Sequence, residues 1–67
     1  MSQLKRAVKL ARKRLKRMGL EVKIHTERNR AYLIVPVKGI ADLIDRKIGW
    51  KNHRTYFIED NIVVEVW

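Results

Sequence analysis

The chain has 67 residues, of which 16 are basic and 7 acidic, for a net charge of +9, and it has no cysteine. A chain of this length makes one small domain with a limited core, and without cysteine it has neither disulfides nor thiolate metal sites. Small folds that lack such staples lean on oligomerisation or on good packing.

The longest apolar run, Ala31 to Val37, is far short of the ~20 residues of a membrane span. The two histidines, His25 and His53, are too few for a metal cluster. No membrane partner, metal or other cofactor is therefore expected. The basic start has no apolar stretch behind it and does not read as a signal peptide. Absence of cysteine fits a reducing, cytoplasmic setting. A composition that is 34% charged, with one Gln and three Asn, leans toward a thermophile.

Charge is unevenly placed. Residues 1–19 hold 8 basic and no acidic residues, whereas residues 20–67 hold 8 basic and 7 acidic. In the first of these segments, Leu4, Val8, Ala11, Leu15 and Met18 recur at helical spacing. That stripe predicts a helix over 3–18, ~24 Å long, with Ser2 as N-cap and Gly19 at its C-terminal turn. Lys5, Arg6, Lys9, Arg12, Lys13, Lys16 and Arg17 fall opposite the stripe, with Leu10 and Arg14 on one flank.

A hairpin over 20–37 follows. In LEVKIHT (20–26), Leu20, Val22 and Ile24 alternate with polar residues, as in a half-buried strand. ERNR (27–30) reads as a turn. AYLIVPV (31–37) is apolar on both faces, which suits a central strand or one facing a partner chain, and Pro36 ends its ladder. Ile40, Leu43, Ile44 and Ile48 predict a short helix over 39–48 that closes at Gly49. KNHR (51–54) reads as a loop. A last hairpin over 55–67 then turns at Asp60-Asn61, with Ile62, Val64 and Val66 on one face and Val63, Glu65 and Trp67 on the other.

The order α-β-β-α-β-β predicts an α+β fold: a four-stranded, mostly antiparallel sheet with both helices packed on one face. Met18-Gly19-Leu20 and Ile48-Gly49-Trp50 each close a helix and open a hairpin, so the chain reads as two architecturally similar halves.

The first helix carries the functional signal. Solvated helix faces usually mix charge signs, because acids and bases at i,i+4 stabilise one another and like charges repel. Cations in a first turn also oppose the helix dipole. A polyanionic partner relieves both costs. The apolar stripe has none of the Trp or Phe of a helix that lies in a membrane interface.

Arg28 and Arg30 near the first hairpin, and Lys51 and Arg54 after the second helix, extend the candidate nucleic-acid surface. Trp50 is expected to close the core, as Leu20 does in the first half, and His25 to be solvated. Val63 and Trp67 are a candidate dimer patch, or the cover of an open sheet edge.

Asp42 with Asp45, and Glu59 with Asp60, are the acid pairs nearest to a metal site, but no residue at a suitable spacing completes either. There is no Gly-rich phosphate loop and no Ser/His/Asp pattern. No catalytic residue is expected.

Residues 20–66, through ERNRAYLIVPV, KIGWK and FIEDNIVVEV, loosely resemble the swapped-hairpin AbrB-type transcription factors, which bind DNA. The helix between Pro36 and Gly49 is longer than theirs, and Asn29-Arg30 stands at a different spacing from their Gly-Arg, so no family is adopted.

The expectation is a small, non-enzymatic nucleic-acid-binding protein, homodimeric, with duplex DNA favoured over RNA. Transcription regulation, DNA packaging and a plasmid or viral accessory role all fit. The competing expectation is a protein-interaction module that docks an acidic partner.

Overall fold

A computed structural model describes residues 3–67; Ser2, the expected N-cap, lies outside the described residues. The elements are α1 (Gln3–Arg17), β1 (Lys23–Thr26), β2 (Ala31–Val35), α2 (Ala41–Ile48), β3 (His53–Ile58) and β4 (Asn61–Val66). The four strands form one sheet in the order β1-β2-β4-β3, and all three pairings are antiparallel. This is the α+β fold that the patterning predicts.

The register explains which residues form the core. Ala31, Leu33 and Val35 of β2 lie opposite Val66, Val64 and Ile62 of β4. Successive strand residues point to opposite faces, so these six share one face. All six are buried with Val8, Ala11 and Leu15 of α1 and Ile44 and Ile48 of α2. Both helices therefore cover the same face, and the other face of the sheet has no helix over it. AYLIVPV is apolar on both faces because β2 is central.

The two halves correspond closely in the sheet. Leu33 pairs with Val64, 31 residues on, and the same shift carries the Lys23–Ile34 pair of the first hairpin onto the Arg54–Glu65 pair of the second. The sheet thus has an approximate two-fold axis between β2 and β4, although the side chains at equivalent positions differ.

Several boundaries differ from the sequence expectation. The first strand begins at Lys23, not Leu20, and every residue of β1 is exposed. Leu20 and Val22 still pack against the core, but from the loop after α1. β1 is an edge strand and α1 lies over β2, so Ile24 remains 36% exposed. β3 begins at His53, which moves His53 and Arg54 from a loop into the sheet. The tight turn is Glu59-Asp60, with Glu59 at φ 54°, and Asn61 is already in β4. Trp50 packs against the core, as expected, and its indole N–H donates to the Trp67 carbonyl at 2.8 Å.

Gly49 ends α2 at φ 69°, the left-handed conformation that glycine adopts without strain. A Cβ there would also sit 2.0 Å from the Arg14 guanidinium. The two helices meet at their C-terminal ends, where Arg14 reaches the Lys47 carbonyl at 3.5 Å.

Candidate nucleic-acid interface

The apolar stripe of α1 is turned into the core, so its cations are turned out. Lys5, Arg6, Lys9, Arg12, Lys13, Lys16 and Arg17 are all exposed, and Arg14, on the flank, is half-buried against α2. Among the described residues the ion pairs are His25–Glu27, Arg30–Glu65, Lys38–Asp60 and His53–Asp45. None of them uses a cation of α1.

Five of these cations line two grooves, whereas Arg6, Lys13 and Lys16 line neither. At the C-terminal end, Arg14 and Arg17 share a groove with Arg46 and Lys47 of α2. The end of a helix carries partial negative charge, and basic residues there are stabilising. Two such ends meet at this point, so stability alone accounts for this cluster. Arg46 and Lys47 belong to it only through the packing of α2 on α1, which helical periodicity does not reveal.

At the other end, an open groove of about 520 Å³ runs between α1 and the first hairpin. Lys5, Lys9 and Arg12 line one wall, and Arg28 and Arg30 the other. Leu4, Val8, Ile24 and Ala31 contribute apolar lining, and Glu27 is its one acid. Near the start of a helix, cations are disfavoured by the dipole. Of the groove's cations Lys5 lies in the first turn of α1, and Arg30 is paired within the fold, with Glu65, whereas Lys5, Lys9, Arg12 and Arg28 have no ion-pair partner among the described residues.

The structure does not gather the remaining predicted residues there. Lys51 is exposed in the loop before β3, and Arg54 lies on β3 at the opposite edge of the sheet from the groove. By strand alternation Arg54 shares the uncovered face with Lys23, His25, Tyr32 and Tyr56.

On that face Glu65 is only 5% exposed. Its carboxylate accepts hydrogen bonds from the Tyr56 hydroxyl, at 2.7 Å, and from the Arg30 guanidinium. Arg30 also lies over the Trp67 ring, 5.9 Å from its centroid, and His25 lies beside Tyr32, with centroids 6.0 Å apart. The Tyr56 hydroxyl, and then Arg30, hold the Glu65 carboxyl below its ordinary range against the opposing effect of burial. Burial pushes the Tyr32 phenol up. This network depends on cross-strand register, and the alternation of β4 alone does not reveal it.

A carboxyl group whose folded pKa is lowered contributes stability above its unfolded pKa and loses it as pH falls through the folded value. Glu65→Gln is therefore expected to melt below the wild type at pH 7. The gap should narrow as both are titrated into the acid range, below the ordinary range of a Glu carboxyl. Thermal melts across that range check this, and a gap independent of pH would disprove the role assigned to Glu65.

Asp45 does not pair with Asp42 in a site. Its Oδ1 lies 2.9 Å from His53 Nε2 and accepts from the Thr55 hydroxyl at 2.8 Å, which ties α2 to β3. The other ring nitrogen of His53 meets the Trp50 carbonyl. Among the described residues no three His, Cys, Asp or Glu side chains group as metal ligands, and no helix is long and apolar enough to cross a membrane.

Comparison of the chain with family models, curated proteins and solved structures finds no match in any of the three.

Proposed function

We propose that this protein binds nucleic acid through the phosphate backbone, with the groove between α1 and the first hairpin as the principal seat. One observation carries the reading. Lys5, Lys9 and Arg12 of α1 meet Arg28 of the β1–β2 turn across one open groove, and none of the four has an ion-pair partner among the described residues. Such cations displace counterions condensed on phosphates, which drives binding and makes it salt-dependent.

Duplex DNA is the favoured ligand, because a rigid, straight row of cations matches a regular backbone. The exposed side chains of α1 include no Asn or Ser, and Gln3 stands only at its start. Phosphate contacts alone fix position and not sequence, so affinity is expected to exceed specificity. A second reading, a single-stranded ligand, rests on Tyr32, Tyr56 and Trp67, which strand alternation places on the uncovered sheet face beside Arg30 and Arg54.

The test is fluorescence anisotropy against random-sequence duplex DNA, single-stranded DNA and duplex RNA, titrated with salt. Neutralising ~5–7 phosphates gives an expected log–log slope of about −4.5 to −6 on duplex DNA. Tighter binding to single strands would move the site to the open sheet face. Failure to bind any of the three at low salt would reject the reading and leave an acidic protein as the partner to seek.

A further inference from the structure

The sheet has two edges, and they are built differently. β1 has four residues, KIHT, and runs into the charged turn Glu27–Arg30. Short, charged edges resist pairing with other strands. β3 has six residues, HRTYFI, with no proline and a single fixed charge, Arg54. At its far end Tyr56, Phe57 and Ile58 are 36%, 70% and 54% exposed. Phe57 is the most exposed large apolar side chain among the described residues. A long, apolar, uncovered edge strand presents unpaired backbone groups as a template for another strand.

We infer that β3 is the homodimer interface: it pairs antiparallel with β3 of a second copy and extends the sheet to eight strands. For a second copy, charge distribution favours this edge over β1. Residues 53–67 carry one Arg and three acids, for a net −2, while residues 1–19 carry +8. Pairing through β3 keeps the two basic segments at the far ends of the assembly, whereas pairing through β1 would bring them together.

The strand is also self-complementary. A two-fold centred on Phe57 sets Phe57 opposite its own copy and Tyr56 opposite Ile58, and leaves Arg54 beyond the end of the second copy's strand, beside its Glu59-Asp60 turn. Asp60, which Lys38 meets at 2.9 Å, stays largely exposed and accessible. Centring on Tyr56 instead would set Arg54 opposite Ile58, a cation against an apolar side chain.

Because the two-fold is perpendicular to the sheet, both helix layers stay on one side. At ~4.8 Å per strand, the five spacings between the two β2 strands and the seven between the two β1 strands put the two cationic grooves roughly 24–34 Å apart. One turn of duplex is ~34 Å. This last point rests on the nucleic-acid reading; the dimer does not.

The test is carried out without nucleic acid. Sedimentation equilibrium is expected to show a monomer–dimer equilibrium with a dissociation constant on the order of 10 µM, as befits a small interface. Phe57→Lys with Ile58→Lys should be monomeric, and Trp67→Ser, on the uncovered sheet face, should dimerise like the wild type. A wild type that stays monomeric at ~500 µM overturns the inference. So does dissociation caused by Trp67→Ser but not by the double variant.

A cysteine probe reports separately from any folding defect of those variants. The chain has no Cys, and directly opposed antiparallel residues sit ~4.5–5.5 Å apart between Cα atoms, within disulfide reach. Phe57→Cys should oxidise to a covalent dimer. Thr26→Cys, at the equivalent position on β1, should not. Equal cross-linking of the two overturns the inference.

Discussion

Replacing Lys9, Lys13 and Lys16 together by Glu is expected to abolish duplex binding and leave the fold intact. All three side chains are exposed and none is in an ion pair among the described residues. The net charge falls from +9 to +3, because each substitution changes it by two. Lys9 stands in the groove wall and is replaced by an anion there. Lost neutralisation at three sites flattens the salt slope by about 3, and repulsion from the three carboxylates removes most of the remaining affinity. The helix itself should gain slightly, since mixed signs at i,i+4 suit a solvated face. Anisotropy with random duplex measures the first effect, and circular dichroism with a thermal melt measures the second. A folded variant that still binds duplex with the wild-type slope would exclude α1 as the phosphate-binding face. An unfolded variant would show that this face carries structure, against the exposure of all three lysines.

The path from sequence to this site was legible where a single element carries the information. The spacing of Leu4, Val8, Ala11, Leu15 and Met18 fixes which side of α1 is buried, and with it which cations face out. Apolar residues on both faces of AYLIV place β2 in the centre of the sheet. The groove was not legible, because it exists only where Lys5, Lys9 and Arg12 meet Arg28 across a gap that α1 leaves by lying over β2 and not β1. The same offset leaves Ile24 exposed, although the alternation of LEVKIHT reads as half-buried. Arg54 was misplaced because KNHR is polar throughout, and polarity alone does not separate a loop from an edge strand. Its neighbours Tyr56, Phe57 and Ile58 read from sequence as ordinary strand residues, since a propensity for strands says nothing about which strand lacks a neighbour. The Arg30–Glu65–Tyr56 network spans three strands, so it requires the register as well as the elements.

Leu15→Ala is expected to cost about 3 kcal/mol, near the middle of the range for a buried Leu truncated to Ala. Leu15 is 0% exposed and lies in the core with Val8 and Ala11 of its own helix and with both central strands and α2. A domain of this size has a total stability of only about 3–10 kcal/mol, so this single truncation removes a large share of it. At ~4–8 °C per kcal/mol for a small domain, the melting midpoint should fall by roughly 12–24 °C. Leu10 supplies the internal control. It is the same residue type, five positions earlier on the same helix, and 48% exposed. Leu10→Ala leaves little cavity behind and improves helix propensity slightly, so its expected change is under about 0.5 kcal/mol. The ratio of the two effects tests which side of α1 is docked, because the substitutions share chemistry and helix and differ only in facing. Equal effects would mean that the helix is not seated as described, and that the outward direction of Lys9, Lys13 and Lys16 falls with it. The wide gap expected here links the stability of the fold to its charge: the residues that hold α1 on the sheet are the ones that commit its cations to the solvent side.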